Sequence, residues 1–417
     1  MISLEEAQGF VHQTLTPLAP IQLSLEDALG CVAAEQLTAR ERVPGFSNSA
    51  MDGYALRAVD SSASPTPLRV LGSVMAGDVP LQRLGAGDAM RVMTGAPIPD
   101  GADCVCKIEE VTLDADGHTV TINRTLAVGE NVRYPGEDIA MGQILLTLGV
   151  ELGPVELGVL ASQGFASVVV HPRPRVGVLS TGNELVDSTA LLPAGKIRDI
   201  NRPMLLAALR QSGFKAIDLG IVRDDELLIE GAFQSAIPEF DALISTGGVS
   251  VGDVDHVKVV INGLCGDRAR WMQIAIKPGK PFTFGVAGAR GTPIFGLPGN
   301  PVSTLVGFEL FVRPALRRLA GHHVLQRPTF GAVLDVPLPR RRDGKLHLVH
   351  AIARIEQDGR LHVTNVMRQG SHLVSALAGA NAIAMVPDGD GLASGATVRT
   401  MMLDLGHFDP GRAGVTG

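Results

Sequence analysis

A glycine-rich loop provides the clearest chemical signal in this sequence. Residues 246–252 read Thr-Gly-Gly-Val-Ser-Val-Gly, directly after a short apolar run. Glycines at the end of a strand let backbone N–H groups approach a ligand, and a following helix adds the positive end of its dipole. The loop, with the hydroxyl of Ser250, therefore favours binding of a phosphate or another oxyanion. A tight turn between strand and helix, with no ligand, is the alternative interpretation.

A pair of lysines lies further along the chain, in segment 277–281, which reads Lys-Pro-Gly-Lys-Pro. The two prolines restrain the backbone and hold both ammonium groups in place, which suits an anion. For a lysine pair taken alone, a solvated surface turn is an equally good interpretation. Asp253 and Asp255 add acids just after the glycine-rich loop, and this mixture of charges indicates a phosphate together with a divalent metal ion.

Three acids fall at or just past the ends of predicted strands, namely Glu184, Asp224 and Asp255. Because the carboxyl ends of parallel strands meet at one edge of a sheet, these acids can converge on one pocket. Mg²⁺ usually takes only one or two protein carboxylates. An acid in such a loop can equally cap a helix, so each position has two interpretations.

The elements that must position these loops alternate between strand and helix from about Arg175 onward. This alternation predicts a parallel sheet covered by helices on both faces, with ligands at the carboxyl ends of the strands. The predicted strands are Val176–Leu179, Ile217–Val222, Ala242–Ser245 and Thr292–Phe295, and the predicted helices are Arg202–Gln211 and 302–319.

The flanking sequence has a different character. A capping box at Ser3 predicts an N-terminal helix, and a second helix is predicted to start at Ser24 and stop at Gly30. Short runs punctuated by Gly, Pro and Asp predict a β-rich block inserted into this helical part, and a small antiparallel sheet or barrel after the α/β unit. The expected domains are a helical domain in two parts (1–42 and 139–174), an inserted β-rich domain (43–138), an α/β domain (175–321) and a C-terminal β domain (322–417).

Composition limits the class of protein. The chain has 417 residues, of which 45% are hydrophobic and 19% charged, and a core rarely grows beyond about 250–300 residues, so several domains are expected. A net charge of −7 argues against a nucleic-acid partner. No apolar run reaches the roughly 18 residues of a membrane span, and the N-terminus lacks the pattern of a secretory signal.

The four cysteines are Cys31, Cys104, Cys106 and Cys265, and they lack the paired spacing of a structural zinc site. Cys104 and Cys106 are two residues apart, which on a strand places both on one face, so buried free thiols are expected. A reducing, cytoplasmic location is the corresponding expectation.

An ordered set of longer segments resembles the MoeA family, which includes the E domain of gephyrin. The STGNEL and glycine-loop segments also suit related pterin-binding domains, but the full set in order is specific. The matching segments are NSAMDGYALR (48–57), RVMTGAPIPDGAD (91–103), NVRYPGEDIAMG (131–142), LSTGNEL (179–185), STGGVSVGDVDHVK (245–258), IKPGKPFTFG (276–285) and GLPGNPVS (296–303).

The resemblance implies a multidomain α/β protein. It would have an elongated, discontinuous helical dimerisation domain, an inserted β-rich domain, a doubly wound parallel α/β domain that binds the pterin, and a C-terminal β-barrel. A homodimer is implied, with an active cleft built from the α/β domain of one subunit and the inserted domain of the other. The implied reaction takes adenylyl-molybdopterin and molybdate, with Mg²⁺, to molybdenum cofactor and AMP. A molybdopterin adenylyltransferase and downstream molybdoenzyme factors are candidate partners.

The resemblance also implies site residues by motif position. The catalytic set comprises Asp52, Thr94, Asp138, Glu184, Asp224 and Asp255, and the metal would be held by Glu184, Asp224 and Asp255. The expected substrate-binding set comprises Thr181, Gly247, Gly248, Ser250, Gly252, Lys277, Lys280, Pro298, Asn300 and Ser371. Judged without the resemblance, the turns that carry Asp52 and Thr94 are ordinary structural turns.

Three residues depart from the family pattern. Asn183 stands where an aspartate is usual, His256 where a tyrosine is usual, and His350 falls by rough alignment where the C-terminal domain has an arginine. A histidine is only partly protonated near neutral pH, so the change at His350 puts the anion contact of that domain in doubt.

Two other functions remain open from the sequence. One is adenylylation of molybdopterin, because the α/β domain alone also resembles that activity. The other is a non-catalytic scaffold that binds a protein partner through the same fold. The inserted block with Asp52 and Thr94 favours molybdenum insertion, and the intact acids and lysines favour retained chemistry.

Overall fold

The α/β unit is built on four parallel strands that all end at one edge of the sheet. The structure, a computed structural model, describes residues 1–187, 189–248, 256–366, 370 and 373–403. Two antiparallel strands, which the sequence did not predict, extend the sheet on one side. In sheet order the strands are Lys215–Val222, Arg175–Thr181, Ala242–Thr246, Thr292–Leu297, Pro281–Ala287 and Ala269–Gln273.

Helices cover both faces of this sheet, as predicted, and each face has its own apolar core. The helix Asn201–Gln211 ends before Gly213, whose φ of +84° favours glycine. The other helical segments are Glu226–Ala236, His256–Cys265, Gly266–Arg268, Pro301–Gly307, the π-helical Phe308–Val312 and Arg313–Leu319, and a short strand pair joins Leu185–Val186 to Ile197–Arg198.

The N-terminal helix Leu4–Thr14 is capped as predicted, because the Ser3 hydroxyl accepts a hydrogen bond from the Glu6 N–H at 3.0 Å. Its buried face packs into the core of the α/β unit. The second predicted helix was wrong. Ile21–Ser24 is a strand that pairs with Ser167–His171, and this pairing leaves only turns up to Gly30.

The segments before and after the β-rich block share one core. A three-stranded sheet and the helix Pro154–Ser162 enclose it. The strands of this unit are Ile21–Ser24, Val32–Ala33 and Ser167–His171, with a separate pair formed by Leu37–Thr38 and Ile144–Leu146.

The β-rich block lies between two residues that bridge each other, Val43 and Ile139. Six short strands form its main sheet, and the predicted burial of Cys104 and Cys106 is confirmed. In sheet order the strands are Cys104–Lys107, Gly53–Leu56, Asp88–Val92, Thr66–Val74, Thr119–Ile122 and Val111–Leu113; Asn48–Ser49 pairs with Val132–Arg133, and Ala58–Ser61 and Ile108–Glu110 are single helical turns.

The C-terminal unit is a closed five-stranded barrel, because its last strand in sheet order pairs back onto the first. The strand Ile276–Lys277, which precedes the barrel in the chain, pairs in parallel with the start of one barrel strand. Around the barrel the strands are Leu346–Ile355, Leu361–Asn365, Thr329–Leu334, Thr397–Met402 and Ala382–Val386; Leu338–Pro339 pairs with Gly391–Leu392, and Val374–Leu377 is a helical turn. In the described part of the chain, no helix combines the length and apolarity that crossing a membrane requires.

Candidate active site

The predicted glycine loop starts in close contact with the neighbouring strand end. Gly247 and Gly248 have φ values of +97° and +64°, which favour glycine. A Cβ on Gly247 would lie 2.3 Å from the carbonyl oxygen of Thr181, and one on Gly248 would lie 3.2 Å from the Thr181 hydroxyl oxygen. The structure therefore brings three of the predicted substrate-binding residues together, and side chains are excluded where the loop leaves the sheet.

The hydroxyl of Thr181 is buried and has no hydrogen-bond partner among the described residues. A buried hydroxyl without a partner is costly, so such a group usually meets a ligand, a water or a neighbouring polar group. Because this hydroxyl faces Gly248, it is a neutral donor at the start of the glycine loop. The remaining predicted residues of that loop, Ser250, Gly252 and Asp255, lie outside the described residues, as does Ser371.

Asn201 ties two strand ends together, and the sequence did not single it out. Its buried Nδ2 donates to Thr246 Oγ1 at 2.9 Å and to the Gly299 carbonyl at 2.7 Å. The Pro298 carbonyl accepts from the Thr246 hydroxyl at 3.1 Å and from the Thr304 hydroxyl at 2.6 Å. This network fixes the loop at Pro298 against the loop that begins at Gly247.

Two of the three predicted metal-binding acids lie at adjacent strand ends. Asp224 and Asn183 contact each other through two long hydrogen bonds, of 3.4 and 3.3 Å. The carboxylate of Glu184 lies over Gly182, where an added Cβ would come within 2.8 Å of it. Lys196 donates to the Asn183 carbonyl and brings a positive charge to this edge. Across the described ranges, no three His, Cys, Asp or Glu side chains form a group that could hold a metal ion.

A buried ion cluster supports the segment that follows Glu184. The side chain of Arg202, 6% exposed, contacts the carboxylates of Asp187, Asp199 and Asp218. Burial alone would lower the pKa of Arg202, but these three hydrogen bonds outweigh it and raise the pKa. Arg202 therefore stays charged and anchors the loop between Glu184 and the helix Asn201–Gln211 to the sheet.

The lysine pair lines a cavity of about 950 Å³ between the α/β unit and the barrel. Lys277 is exposed and Lys280 is half-buried, and Asn300 lines the same cavity. In the register of the strands Lys277 lies beside His347 of the barrel. The predicted anion-binding lysines therefore share one open space with a third predicted residue.

His350 enters the same cavity from the barrel wall. Its side chain is buried, and this burial lowers its pKa to about 4. The imidazole is therefore neutral near pH 7 and carries no positive charge toward an anion.

Asp52 and Thr94 form a compact pair in the inserted block. One carboxylate oxygen of Asp52 accepts the hydroxyl and the backbone N–H of Thr94, both at 2.7 Å. These two hydrogen bonds hold the pKa of Asp52 below its ordinary value. Asp138 is exposed at the base of the block, where its N–H donates to the Val43 carbonyl at 3.0 Å.

The pair at Asp52 makes no hydrogen bond or ion pair with the described strand-end residues of its own chain. Among the described residues, no hydrogen bond or ion pair joins residues 48–133 to residues 175–321. The structure therefore forms two separate groups of predicted site residues, one in the inserted block and one at the edge of the α/β sheet.

Three regions of the chain match the domains of one protein family. Residues 2–164 match the MoeA N-terminal region (domains I and II), residues 177–318 match a probable molybdopterin binding domain, and residues 332–403 match the MoeA C-terminal region (domain IV). A molybdopterin molybdenumtransferase of Haemophilus influenzae is 39% identical over 383 residues, which cover 91% of this chain and 93% of that protein. A molybdopterin molybdenumtransferase of Bacillus subtilis is 36% identical over 388 residues, with coverages of 91% and 89%.

A solved structure has the same architecture. The crystal structure of a molybdopterin biosynthesis MoeA protein from Pyrococcus horikosii is 32% identical, has a TM-score of 0.80, and covers 97% of this chain and 99% of that chain. These likenesses extend over the inserted block and the barrel, so the adenylyltransferase alternative, which rested on the α/β domain alone, is not favoured. The chain belongs to the MoeA family.

Proposed function

We propose that this chain is a molybdopterin molybdenumtransferase, which takes adenylyl-molybdopterin and molybdate to molybdenum cofactor and AMP. The observation that carries the proposal is the row of groups along one edge of the α/β sheet. The carboxylate of Glu184 lies over Gly182, the residue after Thr181, and the Cβ position of Gly247 lies 2.3 Å from the Thr181 carbonyl oxygen. The Cα of Gly247 in turn lies 3.7 Å from the Cβ position of Gly299. Asn300, the next residue, opens into the cavity with the two lysines.

The glycine-lined strand ends suit the phosphate part of the pterin substrate. Backbone N–H groups and the Thr181 hydroxyl are neutral donors, and the exclusion of side chains at Gly247 and Gly248 lets phosphate oxygens come close. Asn201 keeps the loop at Pro298 in place beside them. These residues bind and orient the phosphoanhydride before it is cleaved.

Glu184 and Asp224 are proposed to hold Mg²⁺, together with Asp255. The two described carboxylates fit this ion, because Mg²⁺ prefers hard oxygen donors and takes one or two carboxylates beside phosphate oxygens. Both lie at the strand ends where the phosphates would bind. When bound there, Mg²⁺ would stabilise negative charge on the phosphoanhydride oxygens.

Lys277 and Lys280 are proposed to bind the molybdate. Molybdate is a tetrahedral dianion, and the two ammonium groups match its charge from one side of the cavity. Because cleavage of the phosphoanhydride builds charge on the bridging and leaving oxygens, the same lysines can also stabilise that charge.

A homodimer is proposed to complete the site. In the described part of the chain, no hydrogen bond or ion pair links Asp52 or Thr94 to the sheet edge, so we propose that they act on the α/β unit of the partner subunit. Asp52 stays ionised at neutral pH and would serve there as an acceptor. The four buried free thiols are consistent with a cytoplasmic location, which we also propose.

The direct test is release of AMP. Purified protein is incubated with adenylyl-molybdopterin and Mg²⁺, with and without molybdate, and AMP is quantified. We expect AMP release that depends on molybdate, and its loss in Asp52→Ala and Lys280→Ala variants that keep the circular dichroism spectrum of the parent protein. AMP release without dependence on molybdate would contradict the proposal, and full activity in both variants would contradict the assigned residues.

A further inference from the structure

The basic residues around the cavity differ in whether their side chains already have a hydrogen-bond or ion-pair partner. On the α/β side, the ammonium groups of Lys277 and Lys280 make no hydrogen bond or ion pair with any residue that the structure describes. On the barrel side, Arg340, Arg341, Lys345 and two histidines line the same space. Which of these barrel residues can contact an anion depends on their present partners.

Most of the basic residues on the barrel side already contact acids. Arg340, whose side chain is 3% exposed, donates to Asp343 at 2.8 Å and to Asp388 at 2.7 Å. Its two terminal nitrogens also donate to backbone carbonyls, and its buried Nε has no hydrogen-bond partner among the described residues. His347 contacts the Asp343 carboxylate at 3.0 Å, and the Lys345 ammonium lies 3.9 Å from it. The charges of Arg340 and Lys345 are therefore already partly neutralised by the carboxylates of Asp343 and Asp388.

Arg341 differs from its neighbours. It is exposed, it lines the cavity, and its guanidinium has no hydrogen-bond or ion-pair partner within the described ranges. The loop that carries it is held firmly, because Asp388 also accepts the N–H groups of Asp343 and Gly344 at 3.1 and 3.2 Å. Arg340, in the same loop, is anchored to the barrel. A fixed loop therefore presents one uncommitted guanidinium to the cavity.

We propose that Arg341 is the positive contact of the barrel with the oxyanion held by Lys277 and Lys280, and that it sets the affinity for molybdate. The inference rests on the proposed function, which places molybdate in this cavity. The planar fork of an arginine donates two parallel N–H groups to two oxygens of one tetrahedral anion, which a lysine cannot do. His350 is neutral, so it cannot supply this charge.

Molybdate binding to the full-length protein tests the proposal. Isothermal titration calorimetry with sodium molybdate compares the parent protein with Arg341→Gln, Arg341→Lys and Lys280→Gln. Arg342→Gln is the matched control, because Arg342 is the next residue and equally cationic, pairs with Asp390 at 3.1 Å, and does not line the cavity. We expect Arg341→Gln to weaken binding about tenfold or more, because a hydrogen bond to a charged group is lost. Arg341→Lys should bind with intermediate affinity, and Arg342→Gln should bind like the parent.

The Michaelis constant for molybdate in AMP release gives a second measurement. Arg341→Gln should raise KM for molybdate and leave kcat close to that of the parent, since the contact is to the bound anion. If Arg341→Gln matches the parent in both measurements while Lys280→Gln is impaired, the inference about Arg341 is overturned and the proposed function stands. If Lys280→Gln is also unimpaired, molybdate does not bind in this cavity, and AMP release then decides the proposed function separately.

Discussion

Thr94 donates both of the hydrogen bonds that the carboxylate of Asp52 accepts in the described part of the chain. Both hydrogen bonds from Thr94 reach the same carboxylate oxygen, and the other oxygen makes no hydrogen bond within the described part of the chain. Because both bonds favour the ionised form, the pKa of Asp52 is depressed and the group is an anion throughout the neutral range. The unengaged oxygen remains available to accept a hydrogen bond from a substrate.

Removing the hydroxyl at position 94 should change this titration. In Thr94→Val the side-chain hydrogen bond is lost and the one from the backbone remains, so we expect the pKa of Asp52 to rise toward its ordinary value. Carboxyl-detected NMR titration measures the shift. Asp114, whose pKa is also depressed but by hydrogen bonds from Thr119, is the internal control and should keep its midpoint. An unchanged midpoint for Asp52 would mean that the hydroxyl does not set its pKa.

The junction between the strand and the glycine loop leaves no space for a side chain at Gly247. A Cβ there would overlap the Thr181 carbonyl, and backbone atoms cannot move aside as the tip of a flexible side chain can. Gly231 offers a contrast inside the helix Glu226–Ala236, because a Cβ at that position meets no atom within 4 Å.

We expect Gly247→Ala to destabilise the fold by about 2 kcal/mol or more, through overlap and the positive φ. Gly231→Ala should instead stabilise it by about 0.5–1 kcal/mol, since alanine favours the helix. Urea unfolding of the two variants, with the midpoint and slope fitted for each, measures both effects. Equal midpoints for the two variants would show that the loop can move away from Thr181.

The elements were more predictable than the contacts between them. Short continuous apolar runs, separated along the chain by helical patterns, located the parallel strands of the α/β unit within a few residues. Such runs are expected because both faces of the sheet are buried. The predicted helix at Ser24 failed for a nonlocal reason. Its local capping signal is real, since the Ser24 hydroxyl accepts the Asp27 N–H at 3.2 Å, but pairing with Ser167–His171 determines the conformation of the preceding residues.

In the site, too, local sequence patterns were predictable and contacts between distant residues were not. Glycines, lysines and acids at strand ends could be found from residue type and position, and Asp52 and Thr94 could be found only through the family resemblance. Asn201 and Arg341 were missed because their importance depends on partners far along the chain. Asn201 reaches Gly299, and Arg341 matters only because neighbouring charges are already engaged.

At the scale of the whole molecule, the two separate groups of site residues predict complementation between subunits. If the cleft combines two chains, a heterodimer of Asp52→Ala and Lys280→Ala subunits has one cleft with neither change and one with both. Each variant alone should be inactive. Unfolding and refolding the two together in equal amounts should restore about one quarter of the parent activity, since half of the dimers are mixed and each has one intact cleft.

AMP release from the separate and co-refolded variants measures this recovery. The control is co-refolding of each variant with itself, which should remain inactive. A mixture as inactive as its components would place Asp52 and Lys280 in the same chain's site and contradict the shared cleft. Sedimentation of the parent protein as a monomer at assay concentration would contradict it independently.

The ladder between the strand Ile276–Lys277 and the barrel has a mechanical consequence. The N–H of Leu346 donates to the Ala275 carbonyl at 2.8 Å, and Ile2 pairs with the same segment from its other side. The barrel cannot hinge away from the lysine pair without breaking this ladder. We therefore expect the cavity to keep its width when an anion enters, so that charge attraction sets the entry rate.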